Sequence, residues 1–236
     1  LMEASPLAAV VNDKYSSAVC AHCFNLLNGK ESIACENECG GVFYCSMRCR
    51  VLDSIHHEGE CPILSLWSKS TDGNQKRGVR GLRLFLRLVY AFSRSKISAC
   101  LLNLLEHDKK ASKDSNLLGM ARVINRFVDV NFRLQDDLIA SMISKAQRNM
   151  HGIVDLKGQN FGHGLYPLAS FINHSCEPNA IISFDGNKLV VRALEDIERE
   201  TEITIAYVEL FAPLEVRRDA LLSHKGFLCR CSRCRR

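Results

Sequence analysis

Twelve cysteines punctuate this chain of 236 residues, and all but one fall at ligand-like spacing. Between residues 20 and 61 the stretches CAHC, CENEC, CSMRC and HEGEC set out four pairs: Cys20/Cys23, Cys35/Cys39, Cys45/Cys49 and His57/Cys61. Seven thiolates and one imidazole make eight ligands, the complement of two tetrahedral zinc ions. The members of the last two pairs stand four apart, so on helices both ligands face one side. His56 competes with His57, but only His57 stands three residues clear of Cys61. His22, inside the first pair, reads as a surface residue. The stretch has too few apolar residues to fold alone, and closed four-ligand sites leave no open position for water or substrate. These metals are therefore structural.

A second group lies near the C-terminus, where FLCRCSRC supplies Cys229, Cys231 and Cys234. Three thiolates need a fourth ligand to close a structural site. Two cysteines remain. Cys100 sits in SKISACLLNLL, an apolar helical stretch in which a free thiol behaves as a small hydrophobe. Cys176 sits in FINHSCEPNA, where an ordinary turn would want the proline and the asparagines but has no use for a cysteine. Cys176 is thus the expected fourth ligand. A zinc there would rivet the 171–180 turn to the chain's end and hold Asn173 and His174 beside the segment containing Phe227, the preorganisation that a catalytic site requires.

Elements must exist to position these groups. With 47% apolar residues the chain can bury a full core. Disulfide-rich secreted proteins are short and core-poor, so reduced, metal-bound cysteines in the nucleus and/or cytoplasm are expected. The longest apolar runs are broken by arginine, as in LRLFLRLVY, so no membrane span is expected. The chain opens on Leu1 with no secretory leader pattern, which reads as a fragment whose natural start lies upstream. The net charge of +5 is uneven, at −3 over residues 20–61 and +9 over residues 65–148. Any attraction for nucleic acid or an acidic partner belongs to the second stretch.

LAAVV at 7–11 reads as a short buried strand, and a polar link at 68–78 precedes a helical stretch reaching about residue 148. There Leu82, Phe85, Leu86 and Val89 share one helical face, while Arg80, Arg83 and Arg87 share another, read as solvated. From 152 the pattern turns to strands. NAIISF and KLVVRAL flank Asp185-Gly186-Asn187 as a hairpin, and TEITIAY is a further alternating strand. PLEVRRDALLSHKG, opened by Pro213 and closed by Gly226, is a helix punctuated at both ends.

The ligand spacing and the YCS at Cys45 resemble the MYND zinc finger. That resemblance implies crosswise ligation, with Cys20, Cys23, Cys45 and Cys49 on one ion and Cys35, Cys39, His57 and Cys61 on the other, and a peptide-docking role. A RING-type ubiquitin ligase also cross-braces, but wants its histidine near the middle of the series; here it is seventh. The finger's negative balance argues against direct DNA binding. NHSCEPN, EITIAY and FLCRCSRC resemble the two core motifs of the SET domain and its post-SET zinc. Together these features resemble the SET-and-MYND protein-lysine methyltransferases over nearly the whole chain.

The resemblance implies an α+β fold of small SET-type sheets with a knot-like core, a helical insert, the MYND finger and a post-SET zinc site. Its parts would be 1–19 (SET N-terminal region), 20–61 (finger), 62–148 (helical insert), 149–222 (SET core) and 223–236 (post-SET). It implies S-adenosylmethionine as cofactor, three structural zinc ions and a protein substrate, histone or non-histone, bearing a target lysine. Asn149, Ser170, Asn173, His174 and Phe227 match cofactor-contacting positions, and Tyr207 matches the tyrosine beside the transferred methyl. The family's glycine-rich first strand has no counterpart before Cys20, so either it precedes Leu1 or the pocket lacks a wall. A SET/MYND interaction module without catalysis is the alternative, and nucleic-acid binding by the Arg80, Arg83 and Arg87 face a third reading.

Overall fold

The computed structural model describes residues 1–27, 32–68, 81–105 and 108–235. Strands β1 (Met2–Ala4) and β2 (Ala8–Val11) come first. The cysteine-rich module contributes β3 (Ile33–Ala34), β4 (Phe43–Tyr44) and α1 (Met47–His57), then α2 (Cys61–Ser68) follows. A helical layer comprises α3 (Arg83–Arg94), α4 (Lys96–Leu104), α5 (Ser115–Phe127) and α6 (Asp136–Asn149). Next come β5 (Met150–Val154), β6 (Asn160–Leu165), α7 (Pro167–Ser170) and β7 (Asn173–His174). Strands β8 (Ala180–Asp185), β9 (Lys188–Ala193) and β10 (Thr204–Ile205) precede α8 (Leu214–Lys225) and α9 (Ser232–Arg235).

The N-terminal strands find partners late in the chain. β1 pairs antiparallel with β9 in the sheet β1-β9-β8, and β2 pairs antiparallel with β6 in the sheet β2-β6-β5. The finger and the helical layer are thus inserted between strands of the same sheets. β2 explains its own all-apolar run: Ala8 and Val10 pack into the helical core, Ala9 and Val11 into the sheet core. Alternate side chains point to opposite faces, so a strand between two cores needs apolar residues on both.

The β8–β9 hairpin turns where the Asp185-Gly186-Asn187 signal places it, with Asp185 opposite Lys188. Gly186 has φ 58°, and a Cβ there would lie 2.3 Å from the Cys23 carbonyl oxygen. Only glycine allows both the left-handed backbone and the finger's approach. Asn187 Nδ2 then donates to His22 O at 2.7 Å, docking the finger onto the hairpin tip. TEITIAY gives only the two-residue β10, parallel to β7. Its partner is short because the chain leaves the ladder at Ser175, whose N–H donates to Ile205 O at 3.0 Å before the turn to Cys176.

The solvated arginine face is overturned. Arg83 and Arg87 are 2% and 3% exposed. Arg83 Nε donates to Glu60 Oε2 at 2.8 Å; Arg87 Nη2 donates to Glu60 Oε1 at 2.6 Å and its Nη1 to Asp53 Oδ1 at 2.9 Å. The reason is complementary charge: the acidic partner wanted by the basic helical stretch is the chain's own finger. Two guanidiniums so occupied offer nothing to a nucleic acid. Arg80 and residues 69–78 of the polar link lie outside the described residues. Cys100, expected among apolar neighbours, is exposed on α4. Among the described residues, no helix is long and apolar enough to cross a membrane.

Burial alone would push the Glu60 carboxyl up, but the Arg83 and Arg87 guanidiniums hold it well below the usual carboxylate range. Glu60→Ala leaves both cations buried without a shared partner. The expected loss is about 3–5 kcal/mol of stability, read as a lower midpoint in denaturant unfolding; an unchanged midpoint would show that the network carries no stability.

Candidate functional site

The twelve nominated ligands gather into three groups: Cys20, Cys23, Cys45 and Cys49; Cys35, Cys39, His57 and Cys61; Cys176, Cys229, Cys231 and Cys234. Within each, the ligand atoms lie within 4.8 Å of one another. Sulfur–sulfur distances include 3.6 Å for Cys23–Cys45, 3.9 Å for Cys35–Cys61 and 3.5 Å for Cys176–Cys234. A tetrahedral zinc with bonds of ~2.3 Å has edges of about 3.8 Å, so all three groups fit that ion. The first two are interleaved crosswise. Chemistry points the same way, because a buried cluster cannot ionise fully alone: hydrogen bonding from the Cys23 thiol draws Cys20 down to about 5, whereas burial pushes Cys39 and Cys176 up to about 12. A divalent cation removes that conflict.

His57 shows how the finger is tied to the rest. Its Nδ1 faces Glu60 Oε1 at 3.0 Å, which selects the tautomer with Nε2 free to ligate, and Nε2 lies 3.5 Å from Cys39 Sγ. His56 joins none of the groups. The third group closes between the turn after β7 and the segment around α9. Arg217, a residue that sequence reasoning missed, is buried beneath it and donates from Nε to Cys176 Sγ at 3.4 Å and from Nη2 to Cys234 Sγ at 3.8 Å. Its guanidinium offsets the negative charge that four thiolates bring to one zinc.

Beside this group lies a cleft of ≈ 360 Å³, within the usual range of small-molecule sites. Of the six nominated residues, Asn149, Ser170, Asn173, Tyr207 and Phe227 line it. Asn149 ends α6, Ser170 ends α7 and donates to Asn149 O at 3.2 Å, and Asn173 lies on β7 with Nδ2 donating to Glu202 Oε1 at 2.7 Å. Phe227 follows Gly226, whose left-handed φ of 79° ends α8. His174 stands behind the wall. Its Nδ1 accepts the Tyr207 N–H at 3.0 Å, which leaves Nε2 carrying the proton toward Cys176 Sγ at 3.2 Å. Burial lowers the imidazole's pKa, in keeping with that neutral form. Tyr207 is fixed from its other end by its hydroxyl, which donates to Ile172 O, and burial raises its pKa so that it stays a phenol.

Three further cleft residues with ionisable side chains escaped the sequence: Arg148, His151 and Lys225. Arg148 Nη1 donates to Lys225 O at 2.9 Å, and Lys225 Nζ donates back to Arg148 O. Burial, and then the Lys225 charge, holds His151 down to about 4. The helix stop at Gly226 marks where Lys225 is, but not that α6 ends against it.

A profile of the SET domain matches residues 60–208, and one of the MYND finger matches residues 20–61. The chain belongs to the SET-domain family. It is 31% identical over 99% of its length to the histone-lysine N-methyltransferase ASHR1 of Arabidopsis thaliana, covering 50% of that protein. The histone-lysine N-methyltransferase SMYD3 of Homo sapiens is 30% identical over 99% of this chain and 55% of its own length. The N-lysine methyltransferase SMYD2-A of Xenopus laevis is 26% identical over 90% of this chain and 50% of its own length. The chain spans about half the length of the curated relatives it matches. In this SET-domain chain with an inserted MYND finger, the third cysteine group reaches the cleft wall through His174, which touches Cys176 Sγ on one side and the Tyr207 N–H on the other.

Three zinc ions per folded chain are expected by elemental analysis. Cys176→Ser should release one of them and loosen the cleft wall with it, whereas Cys100→Ala should release none. Retention of all three ions in Cys176→Ser would remove the rivet from the structure's logic.

Proposed function

We propose that this chain is an S-adenosylmethionine-dependent protein-lysine N-methyltransferase. The observation that carries the reading is Tyr207, held by its backbone N–H and by its hydroxyl on the wall of a cleft that five of the nominated residues line. The relatives' names support it. So does the donor set: carboxamides from Asn149 and Asn173, the Ser170 hydroxyl and the half-exposed Phe227 ring suit a ligand that joins an amino-acid end to a planar base. These residues would hold S-adenosylmethionine, which when bound supplies an electrophilic methyl on a sulfonium.

The chain's own groups must then present a neutral amine. A lysine of ordinary pKa is almost wholly protonated, and exposing its lone pair near pH 7.4 costs about 4 kcal/mol. A partly buried cleft with a fixed cation, Arg148, disfavours the ammonium and lowers that cost. The Tyr207 hydroxyl proton is committed to Ile172 O, so its oxygen keeps lone pairs with which it can orient the amine. Alignment of this kind supplies about 7–11 kcal/mol in favourable cases. His174 acts through Tyr207, fixing its backbone from the zinc side.

The substrate class in this reading is a protein bearing a lysine, histone or non-histone, in the nucleus and/or cytoplasm where thiolate sites stay reduced. We assign the finger a peptide-docking role, supported by Met47, Val51 and Ile55, exposed four residues apart along α1. Direct DNA binding is no part of the reading.

A methyl-transfer assay on mixed histones and a cytosolic extract, read by mass spectrometry, tests the activity. Tyr207→Phe keeps the ring and the fold; turnover should fall by about 10²-fold or more while zinc content and S-adenosylmethionine affinity hold. Equal turnover in the variant and parent would overturn the role given to Tyr207.

A further inference from the structure

Lys225 is an unusual neighbour for a tyrosine proposed to receive lysine. Its Nζ lies 5.0 Å from the centroid of the Tyr207 ring, and its side chain lines the same cleft. The backbone that presents it is pinned: Gly226 caps α8 in the left-handed region, and a Cβ there would lie 2.5 Å from Arg148 Nη1, which bonds Lys225 O. The amine itself is tethered by its donation to the Arg148 carbonyl. A lysine nitrogen is therefore held inside the cleft by the fold, before any outside protein arrives.

We infer that Lys225 is itself a substrate of the cleft it lines, methylated on Nζ within the same molecule. The inference rests on the methyltransferase reading above and names one target for it. Burial, and then the neighbouring Arg148 charge, lowers the Lys225 pKa, which favours the reactive form. The ammonium first releases a proton to solvent at the cleft mouth. The amine lone pair then forms the N–C bond to the sulfonium methyl as the S–C bond breaks. The pair from that bond stays on sulfur as a neutral thioether, and the positive charge passes to the methylated nitrogen. Target and cleft share one chain, so the encounter needs no second molecule.

The test incubates the whole chain with isotope-labelled S-adenosylmethionine, with and without mixed histones, and maps the label by mass spectrometry. The methyl is expected on Lys225 in preference to the exposed Lys157 and Lys188, at a fractional rate unchanged over about a tenfold dilution. In Tyr207→Phe the Lys225 mark should form about 10²-fold more slowly. Label on histones with Lys225 unmarked overturns this inference and leaves the methyltransferase reading standing; label on neither overturns both. Label spread over exposed lysines, or a rate that rises with chain concentration, also overturns it. A second readout needs no cofactor: labelling by acetic anhydride across a pH series should show Lys225 reacting at lower pH than the exposed lysines. A Lys225 that stays inert, or reacts as they do, counts against it.

Discussion

The sulfur of Cys176 lies 3.9 Å from that of Cys229 and 3.5 Å from that of Cys234, closing more than fifty residues of chain around one ion-sized site. That closure decides where the turn after β7 can lie, and the cleft follows from the turn. His174 stands two residues before Cys176 and spans the gap, its Nε2 toward the sulfur and its Nδ1 on the Tyr207 N–H. Asn179, three residues after Cys176, accepts from the Thr204 N–H and donates to Glu202 O, so the same turn also registers the strand that leads to Tyr207. A tyrosine at a strand end would otherwise be free to choose among rotamers; here both its backbone and its hydroxyl are committed.

A second closure joins the finger to the helical layer. Glu60, fully buried, joins the zinc ligand His57 to Arg83 and Arg87, and Arg87 reaches on to Asp53, which also accepts from Tyr44. Isolated charges of this kind would be costly to bury. Two guanidiniums against two carboxylates cancel, and the many hydrogen bonds compensate for lost water. The finger is therefore no appendage: helix α3 and, through Gly186 and Asn187, the hairpin tip hold it against the rest of the chain.

Much of this was legible locally. The ligands were, because cysteine and histidine at turn or helix spacing have few other uses. The hairpin and the helix from Pro213 to Gly226 were, because glycine and proline impose backbone angles on their own. The arginine face of α3 was not. Periodicity says that Arg83 and Arg87 share a side but not what that side meets, and the partners lie 23 to 34 residues away in the finger. TEITIAY failed similarly, since alternation describes a strand's faces while its length depends on a partner, and β7 offers two residues. Cys100 is exposed because α4 turns it away from the core.

By itself, the sequence determined the ligand inventory, the strand and helix punctuation, and the opposed charges of finger and helical stretch. It did so because those properties belong to single residues and near neighbours. Only the tertiary structure decided that Arg83 and Arg87 are buried, that His174 stands behind the cleft wall, and that Arg148 and Lys225 meet across 77 residues beside Tyr207. Such meetings depend on where distant segments are closed upon one another, by thiolate clusters and by buried ion pairs. No spacing along the chain encodes that distance in space.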